Sequence, residues 1–257
     1  MFYVSEPLST PPTEFSTPLQ QLVYETFAAL SIPFARVDTD PGITMEDCQN
    51  ISARIGVPVV KTLFLCNRQQ TQFYLYVTSD DKPFVTRDFC AEMGGIPRVS
   101  FASADQLWNL LGVRVGATTI LSAVLPSAAG MLSDGTLHLV MDAPIARSDW
   151  FACTDGTPTC FVKFRTQDLL TRYLAGQSVT LLWVSPSRTR KVVFWCTNGL
   201  LHPSRTRKGV FWCTRAGLGT ERLRTCDEKP ADRGRFSRGP ATKRPKPCAP
   251  STFRRWL

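Results

Sequence analysis

Val59-Val60-Lys61-Thr62-Leu63-Phe64-Leu65-Cys66, the polar stretch Asn67-Arg68-Gln69-Gln70-Thr71, and Gln72-Phe73-Tyr74-Leu75-Tyr76-Val77-Thr78 together decide the architecture of this chain. The outer runs are β-branched and aromatic, and five polar residues between them fit a hairpin connection. Strands are therefore expected over 59–66 and 72–78, with Gly56 and Pro58 punctuating the approach. Lys61 interrupts the first apolar run. Burying an ammonium in a strand is costly unless something anionic meets it, so Lys61 is a candidate anion contact. The alternative is a lysine on the solvent face whose stem lies over its neighbours.

Helical spacing appears upstream, where Leu19, Leu22, Val23, Phe27 and Leu30 line one side of residues 18–30. A Pro/Ser/Thr-rich arm precedes them, so 1–17 is expected to be flexible. Ser31-Ile32-Pro33 ends that helix, Phe34 to Val37 reads as a short strand, and Thr44 with Glu46 and Asp47 opens a helix to Ile55. Downstream, Thr86 to Met93 reads as a helix, Arg98 to Phe101 as a strand, and Ser103 caps a helix through Leu111. Gly112 and Gly116 mark a loop, after which Thr118–Val124, Leu137–Met141 and Cys160–Arg165 are expected strands. Thr166 is expected to cap a last helix through Leu174. The organised part is 18–176, a mixed α/β domain.

Charge divides the chain sharply. Residues 1–185 hold 12 Lys+Arg against 17 Asp+Glu, and residues 186–257 hold 18 against 4. The net +9 therefore belongs to the tail. No apolar stretch approaches the roughly twenty residues that span a bilayer, and no basic start leads into an apolar signal core. A soluble cytoplasmic protein without membrane partners is expected. Nine cysteines, an odd count with no Cys-x-x-Cys pair, fit reduced thiols and argue against a zinc site.

Three runs, GVPVVKTLFLCNRQQTQFYLYV, PRVSFASADQLWNLLGVRVGATTI and FRTQDLLTRYL, resemble in order and spacing the prolyl-tRNA editing-domain (YbaK/ProX) superfamily, and within it the alanyl-tRNA(Pro) deacylase subgroup. The resemblance spans roughly 18–176. It implies a curved, partly barrel-like mixed sheet flanked by helices, a pocket for the 3′ end of tRNA, and no cofactor or metal. The implied reaction is hydrolysis of mischarged Ala-tRNA(Pro). Such editing is needed because small apolar differences are worth only ~1–3 kcal/mol of discrimination, so a proline-sized synthetase site admits alanine.

Ester hydrolysis needs an oriented water, donors for the developing oxyanion, and a grip on the terminal ribose and phosphate. The resemblance places Lys61 in the active site. Backbone N–H groups at Gly112 and Gly116 are candidate oxyanion donors, since glycine permits close approach. Candidate substrate or tRNA contacts are Thr62, Arg68, Arg98, Ser100, Thr118, Thr154 and Asp155. Each has a plainer reading: Arg68 is a solvated turn charge, Arg98 part of a structural ion pair, Thr62 a strand residue. Ser103 reads as a helix cap and His138 as structural. Relatives carry a His-Pro pair and then Asn-Thr before the last strand; counting back from FRTQDL puts Thr154-Asp155 and Pro158-Thr159 there. The absent histidine favours an alternative, a weak or inactive module that associates with prolyl-tRNA synthetase.

PSRTRKVVFWCT at 186–197 recurs as PSRTRKGVFWCT at 203–214. Two near-identical copies fall short of a solenoid and point to recent duplication. The tail, 177–257, is expected to be disordered, with Phe194, Trp195, Phe211 and Trp212 available to stack on RNA bases beside its Arg/Lys. A general RNA binder using this tail is a third reading.

Overall fold

The computed structural model describes residues 2–41, 45–182, 193–196 and 210–212. The expected hairpin lies at its centre: β2 (Val60–Asn67) pairs antiparallel with β3 (Phe73–Ser79), placing Lys61 opposite Thr78. Each strand starts and ends one residue later than its sequence pattern indicates, because Asn67 belongs to the ladder and its side chain ties the turn, accepting from the N–H groups of Thr71 (2.9 Å) and Gln72 (3.1 Å).

Around this hairpin, β4 (Val99–Phe101) adds antiparallel to β2, and β5 (Leu137–Asp142) adds parallel to β3. Beyond β5 lie β8 (Val179–Leu182), β9 (Val193–Cys196) and β10 (Val210–Trp212), giving the order β10-β9-β8-β5-β3-β2-β4. The sheet thus continues past Gly176, where the sequence places the end of the organised part. Val179, Leu181 and Leu182 are apolar and buried against their neighbours. The two copies of the repeat pair in parallel at equivalent positions, Val193 with Val210 and Trp195 with Trp212. The rest of the tail, with its expected disorder and RNA contacts, lies outside the described residues, as does the Thr44 helix start.

A second sheet is antiparallel, in the order β1 (Phe34–Asp38), β7 (Cys160–Arg165), β6 (Trp150–Thr154). It meets the first at an isolated bridge between Val59 and Ala152. The two form a mixed α/β frame without a closed barrel among the described residues. Helix α1 (Pro18–Ala29) starts at a Thr17 cap and buries Leu19, Val23, Tyr24 and Phe27, with Phe27 packed on Phe164 of β7. Helix α2 (Met45–Ile55) sends Ile51 and Ile55 into a smaller core with Val37 and Phe161. Helix α3 (Thr86–Glu92) covers the other face of the hairpin, setting Phe89 on Tyr74 and Tyr76.

Several local expectations change. The 1–17 arm is not loose along its length: Leu8 exchanges two 2.8 Å backbone bonds with Arg36, and Val4 bridges Thr39, because the outer edge of β1 offers unpaired groups. Thr118–Val124 is not a strand. Ile120–Val124 forms a 3₁₀ helix capped by Thr119, whose hydroxyl accepts from the Leu121 N–H. Ile120, Leu121, Ser122 and Ala123 are all buried, so they lack the two-faced alternation of a half-exposed strand. Helix α5 (Pro126–Ser133), the short α6 (Ala143–Ala146) and strand β6 were not legible beforehand. Thr166 opens the short α7 (Thr166–Asp168) instead of capping it, and that helix runs into a π turn, Leu169–Tyr173.

Candidate active site

A cavity of about 490 Å³ opens where the start of β2 faces the loop after β3, the end of β4, the 115–118 loop and the end of β6. Lys61, Thr62, Gly116, Thr118 and Thr154 line it. Five of the ten residues expected at the site therefore converge from three separate segments. Phe64, Phe101, Leu107, Val115 and Phe161 make most of the remaining wall apolar.

The Lys61 ammonium is held, not loose. It donates to the carbonyl oxygens of Asp80 (3.1 Å) and Lys82 (2.7 Å), on the turn that leaves β3. An ammonium has three donors, so one N–H remains for a ligand. The Thr62 hydroxyl is buried and has no hydrogen-bond partner. An orphaned polar group on a cavity wall is costly in isolation and suits a site that a ligand completes. Gly116, at φ +90°, has no protein acceptor for its N–H among the described residues. The Thr154 hydroxyl bonds to the Thr157 carbonyl and accepts from the Gly156 N–H at 3.2 Å, so it shapes the wall through its own loop.

The other five expected residues lie elsewhere. Gly112 is the left-handed C-cap of α4 (Ala104–Leu111), and its N–H is spent on the Trp108 carbonyl at 3.0 Å. It cannot donate to an oxyanion. Asp155 points away into a buried cluster, accepting from Gln20 Nε2 (2.8 Å), the Tyr24 hydroxyl (3.1 Å) and the Thr157 hydroxyl (2.8 Å). Burial raises its carboxyl above the usual range although the Gln20 and Thr157 bonds pull the other way. Arg68 sits exposed in the hairpin turn. Arg98 is exposed ahead of β4, and Ser100, next to pocket-lining Phe101, projects to the opposite face by strand alternation. Ser103 caps α4 in a reciprocal box with Gln106, and His138 stacks on Tyr74 with Nε2 at 2.6 Å from Gln72, outside this cavity.

Sequence reasoning missed Cys48, Asp80 and the apolar rim. Phe101 is 61 % exposed and Val115 72 %, an unusual exposure for aromatic and branched side chains at a cavity mouth. Phe101 lay in the RVSFAS run; Asp80 and Cys48 carried no local signal. The Cys48 thiol is pushed up by burial and then by Asp80 and Asp47, which leaves little thiolate at neutral pH. Among the described residues, no group of three or more His, Cys, Asp or Glu is placed to hold a metal, and no helix is long and apolar enough to cross a membrane. The cavity can grip an anion at Lys61, offer N–H and hydroxyl donors to a developing oxyanion, and orient a water beside a small apolar group.

The aminoacyl-tRNA editing domain family matches residues 40–171. The prolyl-tRNA editing protein ProX of Acetoanaerobium sticklandii is 29% identical over 120 residues, covering 47% of this chain and 68% of that protein. Among solved structures, a candidate trans-editing enzyme for prolyl tRNA synthetase aligns with a TM-score of 0.47 at 16% identity, over 65% of this chain and 96% of the other. The hypothetical protein APE2540 aligns with a TM-score of 0.47 at 22% identity, over 61% and 95%.

Proposed function

The chain belongs to the aminoacyl-tRNA editing domain family, and from that premise we infer that it is a deacylase that hydrolyses alanine from mischarged tRNA(Pro). The observation that carries the reading is the Lys61 ammonium, fixed by two carbonyls on the wall of a largely apolar cavity with one donor to spare. In this reading Lys61 holds the terminal phosphate or the substrate carbonyl, the Gly116 N–H and the Thr62 or Thr118 hydroxyl take the developing oxyanion, and water attacks the ester carbon. The ester C–O bond breaks, the ribose 3′ oxygen takes a proton, and free alanine leaves. No side chain of the cavity is an obvious nucleophile, so positioning and electrostatics supply the rate. The tRNA(Pro) acceptor end is the substrate partner.

A second reading is favoured by Thr154-Asp155 standing where the resemblance puts His-Pro. Thr154 is committed to its own loop and Asp155 faces the core, so neither replaces an imidazole. A module that binds prolyl-tRNA synthetase without turning over substrate fits that loss. Incubation with Ala-tRNA(Pro) and Pro-tRNA(Pro) separates the two. Selective release of alanine, slowed about 100-fold or more by Lys61→Ala, is the expected outcome. Hydrolysis of neither substrate, with capture of the synthetase, would replace it with the second reading.

A further inference from the structure

Beside the cavity, on the face of the sheet covered by α3 and from which Lys61 itself projects opposite Thr78, lies a polar cluster that the proposed chemistry does not use. Asp142, at the end of β5, is 3 % exposed, and its carboxylate is fully engaged. It accepts from the Tyr76 hydroxyl (2.8 Å), the Thr78 hydroxyl (2.6 Å) and the Lys82 ammonium, which reaches both oxygens at 3.0 and 2.8 Å. The Lys82 ammonium also donates to the Tyr76 oxygen at 2.8 Å and lies 5.6 Å from the centre of its ring. Burial alone would lower the Lys82 ammonium, but the Asp142 and Tyr76 contacts outweigh it and raise it, so Lys82 stays charged. A buried carboxylate met by three donors from two neighbouring elements is a rigid anchor.

That anchor holds one end of a short strap. Residues 80–82 leave β3 in a turn closed by the Lys82 N–H on the Ser79 carbonyl at 3.3 Å. The strap's side chain at 82 is clamped to Asp142, while its carbonyls at 80 and 82 are the two acceptors of the Lys61 ammonium. Thr78 ties the same elements again, since it pairs with Lys61 across the ladder and donates its hydroxyl to Asp142. The two lysines thus face one turn from opposite ends, one gripping its backbone and the other securing its side chain.

We propose that Lys82 and Asp142 are positioning residues for Lys61: the clamp fixes the 80–82 carbonyls, and those carbonyls aim the remaining Lys61 N–H into the cavity. This inference rests on the deacylase reading for its kinetic consequence, while the geometry it asserts concerns the protein alone. Without the clamp the turn is free to swing, the ammonium loses its fixed acceptors, and its charge no longer sits where substrate binds. A displacement of this order costs rate more than binding, by about 10- to 100-fold.

The test has two arms, both on the full chain. In single-turnover hydrolysis of Ala-tRNA(Pro), Lys82→Met and Asp142→Asn are expected to cut the rate about 10- to 100-fold with KM changed less than about threefold, and Lys82→Arg to restore much of it. Made in a Lys61→Gln background, Lys82→Met is expected to cost nothing further, because it acts through Lys61. An equal loss in both backgrounds, or no loss in either, overturns the proposal. The second arm needs no catalysis: with ¹⁵N-labelled lysine, the Lys61 ammonium of the unmodified protein should give a resolved, slowly exchanging signal, assigned by its loss in Lys61→Gln. That signal should collapse in Lys82→Met and return in Lys82→Arg. An unchanged Lys61 signal in a folded Lys82→Met protein overturns the clamp. If the unmodified chain hydrolyses no aminoacyl-tRNA, the deacylase reading fails and the ammonium spectrum still decides the clamp.

Discussion

Lys61 illustrates how one side chain can satisfy two opposed readings. Its stem lies along a strand, as the plainer reading has it, yet its ammonium is neither in open water nor paired with a carboxylate; it rests on carbonyl oxygens. Two other residues carry separate consequences. Phe101 offers a mostly exposed ring at the cavity mouth, a surface on which the terminal base of an RNA strand can stack. Phe101→Ala should raise KM for aminoacyl-tRNA about tenfold while leaving the maximal rate nearly unchanged, on a stacking contribution of ~1–3 kcal/mol per base; an unaltered KM would remove the ring from the binding surface. Asp155 is structural in this fold. Replacing it by Ala orphans Gln20, Tyr24 and Thr157 at once, and urea unfolding should show a loss of about 2–4 kcal/mol.

The elements follow from local rules where those rules are strong. Ser103 and Gln106 form the capping box that opens α4, and Ser103→Ala should lower stability by about 1 kcal/mol in chemical unfolding without altering the cavity. On β5, His138 is half-buried against Tyr74 and burial lowers its imidazole below the usual value. The unfolded chain then binds a proton more readily than the native one. Its stabilising contribution is complete above the ordinary histidine range and is lost as pH falls through the lowered native value. The thermal midpoint should therefore drop between neutral and mildly acid pH, and His138→Gln should flatten that drop; an identical pH profile for the variant would assign the acid sensitivity elsewhere. Where local rules are weak, the elements were misread. Thr118–Val124 is β-branched enough to suggest a strand, but the unbroken burial of Thr119 to Ala123 and the Thr119 cap give a 3₁₀ turn. Trp150–Thr154 is a strand because β7 offers it a partner, not because its own pattern alternates.

For the molecule as a whole, the large sheet does not stop at residue 176. Ending the chain at Gly176 removes Val179, Leu181 and Leu182 and bares the edge of β5. At ~1.5–3 kcal/mol for each buried aliphatic side chain, that truncation should destabilise the domain by about 5 kcal/mol, seen as a lower denaturation midpoint and a tendency to associate through the open edge. The hairpin, α1, the α4 cap and the lysine at the cavity were legible because each is encoded within a few neighbouring residues: apolar period, capping side chain, turn composition. The division of the expected site residues was not. Gly112 and Gly116 look alike in sequence and both adopt positive φ, yet one spends its N–H closing a helix and the other faces the cavity. Thr154 and Asp155 are adjacent, and strand alternation sends one toward the cavity and the other toward α1. Cys48, Asp80 and Phe161 enter the cavity from segments with no motif of their own. By itself the sequence determined the kind of elements, the family resemblance and the choice of Lys61 as a candidate, since those depend on local pattern and spacing. Only the tertiary structure decided which groups share the cavity, what holds the lysine and where the sheet ends, because contacts between distant segments arise from packing and strand partnership, which no short stretch of chain contains.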